Sequence, residues 1–193
     1  MLIGITGIKY AGKDTSADYL VEKYGFEKLI LSKPLKDICK ILFNFNDEQL
    51  YGNLKETIDP NWGTSPRIIL QYLGTDILRK DINKIIPHIN DNFWINKIIS
   101  EYKQKCKEQK NTKFVISDVR FQNEIDIINK LNGIVIKIIK PSLTNKDEHE
   151  SEKNIYTLEC DFEILNDGSK QDLYKKLDFL IDSLIKIKNI NFL

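Results

Sequence analysis

Short apolar runs alternate with amphipathic stretches along most of this chain. Strands are predicted where apolar residues cluster without a helical period: Met1–Thr6, Phe26–Leu31, Lys113–Ser117, Ile134–Lys140 and Phe162–Leu165. Helices are predicted where apolar residues recur at helical spacing: Asp14–Tyr24, Ser32 and Pro34 through Leu42, Arg67 through Ile82, Phe93–Glu108, Phe121–Leu131, and Ser169 through Ile187. In the third of these, the segment Arg67–Leu73 is followed by an interruption or bend at Gly74, and the helix resumes through Ile82. Strands and helices in this order predict one α/β domain, residues 1–193, with a mostly parallel sheet.

Two stretches show neither period. Asn44–Gly63 is polar and irregular, and a short helix followed by a loop is expected there. Ser142–Ile155 is almost entirely polar and charged. A surface loop of that length is typical of a lid over an active site, so we expect a lid at about residues 141–155.

The composition is that of an ordinary globular protein and excludes several functions. The net charge of +1 argues against a protein that coats nucleic acid, and no apolar run is long enough to cross a membrane. Cys39, Cys106 and Cys160 are widely separated, so neither a disulfide framework nor a zinc site is indicated. Free thiols and the lack of a signal-peptide pattern predict a cytoplasmic protein, in the host cytoplasm if it is viral.

Arginine is scarce in this sequence. Of the 29 basic residues, only Arg67, Arg79 and Arg120 are arginine. Where lysine serves almost everywhere else, the few arginines become candidates for sites that need a planar, two-pronged guanidinium, such as a phosphate-binding site.

The segment Gly7–Thr15, which reads GIKYAGKDT, stands between a predicted strand and a predicted helix. This is the context of a phosphate-binding loop, in which Gly7 and Gly12 let the backbone curl so that N–H groups point at phosphate oxygens. Tyr10 and Ala11 complete the loop, and Lys13 supplies an ammonium group for the β- and γ-phosphates of ATP. The sequence therefore predicts ATP binding by Gly7, Tyr10, Ala11, Gly12, Lys13, Asp14 and Thr15.

The magnesium ion that accompanies ATP has several candidate ligands. A Ser or Thr normally follows the loop lysine, but Asp14 stands in that position here and Thr15 comes next. Either side chain could hold Mg²⁺, directly or through water. Asp118, at the end of the predicted strand Lys113–Ser117, is a third candidate because it would lie beside the loop.

Arg120 follows Asp118 by two residues and should emerge at the same edge of the sheet. A guanidinium there could bridge the donor and acceptor phosphates and stabilise charge on the transferring group. The alternative is a surface salt bridge between Arg120 and Glu124. Lys13, Asp118 and Arg120 are therefore the candidate catalytic residues.

In several segments, taken in order, the chain resembles the deoxynucleoside monophosphate kinases of large DNA phages and viruses. The matching segments are Gly7–Thr15, Leu31–Lys36 (LSKPLK), Gln71–Asp76 (QYLGTD), Ser117–Arg120 (SDVR), His149–Glu152 (HESE) and Asn166–Ser169 (NDGS). They extend from the first predicted strand to the last predicted helix. The resemblance implies a P-loop fold with a five-stranded parallel sheet, an acceptor-binding region at about residues 32–110, and a lid.

The resemblance also implies roles for particular residues. Ser32, Lys36, Arg67 and Gln71 would face the acceptor nucleotide, together with Asp118 and Arg120, and Glu152 belongs to the lid pattern of the family. Asn166 and Gly168 would pass near the adenine of ATP. The partners would be small nucleotides, and the family allows a homodimer.

The predicted reaction is direct transfer of the γ-phosphoryl group of ATP to a deoxynucleoside monophosphate, assisted by Mg²⁺. The acceptor oxygen is already an anion, so no strong base is required. Two other interpretations remain open: a P-loop kinase for another phosphorylated acceptor, such as phosphomevalonate or dephospho-coenzyme A, and a regulatory protein that binds a nucleotide without transferring phosphate.

Overall fold

Five parallel strands form the centre of the fold. The computed structural model describes residues 1–109, 112–143 and 154–190. The chain divides into two compact units, one made of Met1–Leu29 and Gln109–Leu193 and the other of Ile30–Glu108. The first unit holds the sheet.

The strands are β1 (Leu2–Thr6), β2 (Phe26–Leu29), β3 (Lys113–Ile116), β4 (Ile134–Ile139) and β5 (Phe162–Leu165). Their order across the sheet is β2-β3-β1-β4-β5, and every pair is parallel. β1 is buried along its whole length between β3 and β4, as its unbroken apolar run predicted. The carboxyl ends of these strands define one edge of the sheet, where ligands of open α/β folds bind.

Three helices flank the sheet: α1 (Lys13–Tyr24), α6 (Gln122–Lys130) and α7 (Lys170–Ile190). Gly25 ends α1 with a φ of 67° and donates its N–H to the carbonyls of Leu20 and Val21, as expected of a C-terminal glycine. Ser169 caps α7, because its hydroxyl accepts the N–H of Asp172 while the Asp172 carboxylate accepts the N–H of Ser169.

The second unit is helical. It contains α2 (Lys33–Phe43), α3 (Asp47–Leu50), α4 (Pro66–Gln71), a π-helix (Tyr72–Lys80) and α5 (Phe93–Glu108). Short 3₁₀ turns occupy Asn53–Glu56, Asp81–Lys84 and Asn90–Asn92.

The sequence predicted an interruption or bend at Gly74, and no interruption occurs there. The helix continues from α4 through Gly74 with the wider π-helical turn as far as Lys80, and the 3₁₀ turn Asp81–Lys84 extends past Ile82, the predicted end. The glycine marks a close approach: an added Cβ would lie 2.9 Å from the Cδ2 atom of Leu35 on α2. The Gly74 carbonyl accepts a hydrogen bond of 2.7 Å from the indole N–H of Trp94 on α5. Gly74 therefore lets neighbouring helices pack onto this one.

Candidate active site

The loop between β1 and α1 is tightly curled. Gly7, Tyr10 and Gly12 have positive φ angles of 147°, 65° and 108°, and the N–H of Ala11 donates to the Ile8 carbonyl at 3.1 Å. This conformation requires glycine at Gly7, because an added Cβ would lie 2.5 Å from the main-chain oxygen of Ile138 on β4. The loop is thus wound as phosphate-binding loops are, with the start of α1 directly behind it.

Lys13, the first residue of α1, is turned back across this loop. Its side chain is buried, and its Nζ donates to the Ile8 carbonyl at 2.9 Å. Burying an ammonium group is costly unless it is hydrogen-bonded. The bond to Ile8 keeps the charge of Lys13 at the inside of the loop, where an incoming phosphate oxygen could take the place of the carbonyl.

Asn166 follows β5 and lies against the same loop. Its side-chain amide donates to the Ala11 carbonyl at 2.8 Å, and its main-chain N–H donates to the Ile139 carbonyl at 2.7 Å. The residue therefore ties β4 and β5 to the phosphate loop. The exposed Gly168 lies next to the cap of α7, where an added Cβ would be 2.8 Å from Asp172 Oδ2.

Asp167, between these two predicted ATP-binding residues, is held by a lysine of α7. Lys176 Nζ donates to Asp167 Oδ1 at 2.6 Å and to the Leu165 carbonyl at 2.7 Å. The hydrogen bond from Lys176, with one from the backbone, lowers the pKa of Asp167 below its usual value. The segment after β5 is therefore held by two sets of hydrogen bonds, those of Asn166 to the phosphate loop and β4 and those of Lys176 on α7.

The candidate magnesium ligands at the start of α1 differ in their surroundings. The Asp14 side chain is 77% exposed and lies 3.6 Å from Lys28 Nζ of β2, which also pairs with Asp18 at 2.9 Å. Thr15 is half-buried. Oxygen atoms of hydroxyl and carboxylate groups are what Mg²⁺ prefers, so Thr15, Asp14 and Asp118 suit this ion chemically. No cluster of three or more His, Cys, Asp or Glu side chains suited to a metal occurs among the described residues.

Asp118 leaves β3 through a bulge. β1 and β3 pair in register as far as Gly4 and Ile116, and continuing that register would put the Asp118 N–H on the Ile5 carbonyl. Instead the Val119 N–H donates to the Ile5 carbonyl at 3.2 Å, so the chain that leaves β3 has one extra residue relative to β1. Val119 is fully buried, whereas Asp118 is only half-buried. The bulge thus exposes the predicted catalytic acid at the carboxyl end of the sheet.

Arg120 is half-buried, and its backbone is held by a buried acid. Glu124, in the first turn of α6, accepts the N–H of Arg120 at 2.8 Å and that of Phe121 at 3.2 Å through the same oxygen. Sequence reasoning considered Glu124 only as a surface salt-bridge partner of Arg120, but its side chain is buried. The available signal was an acid three residues after Phe121, at the helix position where Glu bonds back to preceding amides.

Lys137, in the middle of β4, is a second buried charge without a predicted role. Its Nζ donates to the Leu158 carbonyl at 2.7 Å and lies 3.3 Å from Glu163 Oε1. Nearby Cys160 is half-buried, and this burial raises the pKa of its thiol to about 11 against a smaller opposing effect of Lys137. The signal was the single lysine inside the apolar run of β4. It anchors the chain between residue 154 and β5.

Four of the predicted acceptor residues belong to the second unit, at or just before α2 and on α4. Ser32 precedes α2, although its side chain makes no capping hydrogen bond, and Lys36 Nζ lies 3.9 Å from the centre of the Tyr51 ring. Arg67 and Gln71 are four residues apart on α4 and both half-buried, so they share one side of that helix. Their predicted contacts with an acceptor nucleotide stay predictions.

Two further expectations concern the rim of the site. Tyr10 is 74% exposed, with Lys9 Nζ 4.7 Å from its ring centre. Glu152 and most of the predicted lid lie outside the described residues.

The fold and the wound loop define a P-loop protein, and two solved structures share this fold. The chain is similar to dephospho-CoA kinase from Campylobacter jejuni, with a TM-score of 0.55 and 19% identity, covering 97% of this chain and 98% of that one. It is also similar to shikimate kinase from Aquifex aeolicus, with a TM-score of 0.50 and 12% identity, covering 96% and 98%. At these identities the likeness shows the fold alone, and it confirms the predicted five-stranded P-loop architecture.

Sequence relatives are more specific. The family model for deoxynucleotide monophosphate kinase matches residues 1–59 and 51–177. A protein of Acanthamoeba polyphaga mimivirus, provisionally named deoxynucleotide monophosphate kinase, is 38% identical over 187 residues, which cover 95% of this chain and 97% of that protein. The deoxynucleotide monophosphate kinase of Enterobacteria phage T4 is 22% identical, over 91% of this chain and 96% of the phage protein.

The chain belongs to the deoxynucleotide monophosphate kinase family. The resemblance stated from the sequence is therefore confirmed, and with it the class of enzyme, a kinase that uses ATP. In addition, none of the helices in the described part of the chain combines the length and apolar character needed to span a membrane.

Proposed function

We propose that this protein transfers the γ-phosphoryl group of ATP to the phosphate of a deoxynucleoside monophosphate. The observation that carries the proposal is the curled loop from Gly7 to Lys13, closed by the buried ammonium group of Lys13, in a chain of this family. In the proposed complex the loop amides and the N-terminus of α1 bind the polyphosphate of ATP, and Lys13 exchanges the Ile8 carbonyl for phosphate oxygens.

Charge neutralisation is the main contribution of the protein. As the γ-phosphoryl group moves in line between two oxygens, Lys13 and Arg120 stabilise the charge on its oxygens. Because the acceptor phosphate is already ionised, no side chain needs to remove a proton. Arg67 and Gln71 would bind the acceptor and orient it, which lowers the entropic part of the barrier.

Magnesium would be held by Asp118 and a residue at the start of α1. Of the two candidates there we favour Thr15, because Lys28 draws the Asp14 carboxylate toward β2. When bound, the ion neutralises charge on the β- and γ-phosphates. The bulge that exposes Asp118 at the sheet edge supports this assignment.

The substrates of the proposed reaction indicate the cell compartment in which the enzyme works. ATP and free nucleotides are cytoplasmic metabolites, and we infer that the enzyme works in that compartment. Burial raises the pKa of the Cys39 thiol to about 11, so this thiol stays protonated at neutral pH. A homodimer remains a prediction from the family.

A panel of acceptors tests the proposed function. The protein is mixed with γ-labelled ATP, Mg²⁺ and, separately, dAMP, dGMP, dCMP, dTMP, their ribonucleotide counterparts, phosphomevalonate and dephospho-coenzyme A. We expect label to appear in at least one deoxynucleoside diphosphate. Transfer only to phosphomevalonate or dephospho-coenzyme A would show that this compound, and not a deoxynucleotide, is the acceptor. ATP binding without transfer to any acceptor would point to a regulatory protein.

A further inference from the structure

We propose that Glu124 is a positioning residue that fixes Arg120 for phosphoryl transfer, a role that rests on the proposed function. The Glu124 side chain is 2% exposed, although it is an acid. One carboxylate oxygen accepts the main-chain N–H groups of Arg120, at 2.8 Å, and Phe121, at 3.2 Å.

The burial of this acid needs a compensating interaction. A carboxylate removed from water is costly unless hydrogen bonds satisfy it, and here the donors belong to the segment that precedes α6. A helix that needed only a cap would normally begin with Ser, Thr, Asp or Asn, whose side chains are short and can stay exposed. α6 instead follows Phe121, which has no acceptor, and its start depends on a buried charge.

The segment between β3 and α6 is anchored at two places. Val119 is fully buried and donates its N–H to the Ile5 carbonyl of the central strand. Glu124 holds the next two amides. Arg120 therefore extends from a backbone that is held on both sides.

This arrangement matters because catalysis by a guanidinium depends on its position. A displacement of about 1 Å in a catalytic group can lower the rate about 10²-fold. Without Glu124 the amides of Arg120 and Phe121 lose their acceptor, and the main chain at Arg120 is free to shift. Glu124 would then influence transfer through Arg120 without touching either nucleotide.

The test begins with Glu124→Ala and Glu124→Gln, assayed for turnover, ATP affinity and melting temperature. Glu124→Ala should lower kcat about 10- to 100-fold with ATP affinity changed less than about twofold. Glu124→Gln keeps an oxygen that can accept both amides, so kcat should stay within about threefold of the unmodified protein. Asp178→Ala, which removes an acid between α1 and α7, is the matched control. It should lower the melting temperature while leaving kcat within about twofold.

The decisive comparison repeats Glu124→Ala in an Arg120→Ala background. If Glu124 acts through Arg120, the second substitution lowers kcat less than about twofold there, although it lowers the melting temperature as much as before. An equal fold-loss in both backgrounds would overturn the role. If Glu124→Ala does not fold, Glu124→Asp, which retracts the carboxylate by one methylene, goes through the same comparison. Lack of transfer by the unmodified protein would instead overturn the proposed function, and this role with it.

Discussion

The side-chain amide of Asn166 donates a 2.8 Å hydrogen bond to the main-chain carbonyl of Ala11. These residues are far apart in sequence, one just after the last strand and the other inside the phosphate loop. The bond fixes the Ala11 carbonyl and so helps to hold the loop in its curled conformation. We therefore expect Asn166 to contribute to ATP binding by holding the loop, in addition to its predicted place near adenine.

Removal of this bond should weaken ATP binding. Asn166→Ala loses the donor, and we expect the dissociation constant of a non-hydrolysable ATP analogue to rise about tenfold, measured by titration calorimetry. Asn129→Ala, which removes an exposed amide on α6, is the control and should bind normally. Unchanged affinity in Asn166→Ala would show that the loop keeps its shape without the bond.

A side chain at Gly7 in the phosphate loop should destabilise the protein. Gly7→Ala combines a positive φ with a Cβ 2.5 Å from the Ile138 oxygen, and should cost about 3 kcal/mol or more in unfolding free energy. Gly25→Ala is the matched control, because Gly25 also has a positive φ but an added Cβ would meet nothing within 4 Å. It should cost only about 1 kcal/mol. If urea unfolding gives the same loss of unfolding free energy for both variants, the contact with the Ile138 oxygen does not add to the cost of a Cβ at Gly7.

The polar cluster between α1 and α7 should make stability depend on acid pH. Asp178 accepts the hydroxyls of Tyr19 and Tyr24 and pairs with Lys23 at 2.8 Å. Burial raises the pKa of Asp178, but the hydrogen bonds from Lys23, Tyr19 and Tyr24 together lower it below its ordinary value. The ionised form thus stabilises the folded protein above pH 4 or so, and this contribution disappears as the pH falls through the folded-state pKa.

Asp178→Asn mimics the protonated acid and tests that dependence. At neutral pH it should lower the unfolding free energy by about 1–2 kcal/mol, because the ion pair is partly exposed and the amide oxygen still accepts one hydroxyl. The difference from the unmodified protein should shrink as the pH is lowered below about 4. A difference that stays constant from neutral to acid pH would contradict the assigned role of the charge.

The proposal that Thr15, and not the adjacent Asp14, binds Mg²⁺ can be tested by substituting each residue. Thr15→Val should raise the Mg²⁺ concentration for half-maximal turnover about tenfold, whereas Asp14→Asn should change it less than about threefold. The two variants differ little in volume from the native residues, which makes them a matched pair. The opposite ranking would assign the ligand to Asp14, in the position that a Ser or Thr usually occupies.

Much of the fold followed from periodicity. The strands Phe162–Leu165 and Lys113–Ser117, and the helix Phe93–Glu108, were predicted within a residue of their observed limits, because apolar runs and helical spacing report directly on burial. At Gly74 the prediction left an interruption and a bend open, and the structure has no interruption. A glycine inside a helix signals either a break or a close approach, and only the packing of Leu35 and Trp94 distinguishes the two.

The site was predictable to the extent that it is local in sequence. The loop from Gly7 to Lys13 could be found because its chemistry requires those residues in one short segment. Glu124 and Lys137 had only weak signals in the sequence, an acid three residues after Phe121 and a lysine inside an apolar run, and their roles became clear only with their backbone partners. The bulge that exposes Asp118 likewise depends on the register between β1 and β3, which no single segment encodes.

The turnover of Lys13→Ala is the most direct test of the central claim, that the loop holds ATP and the ammonium group of Lys13 stabilises the transferring phosphoryl group. With the best acceptor from the panel, this variant should retain its fold and lose activity by about 10³-fold or more. Lys130→Ala, an exposed lysine at the end of α6, should keep normal activity. A folded Lys13→Ala variant with the turnover of the unmodified protein would contradict the account.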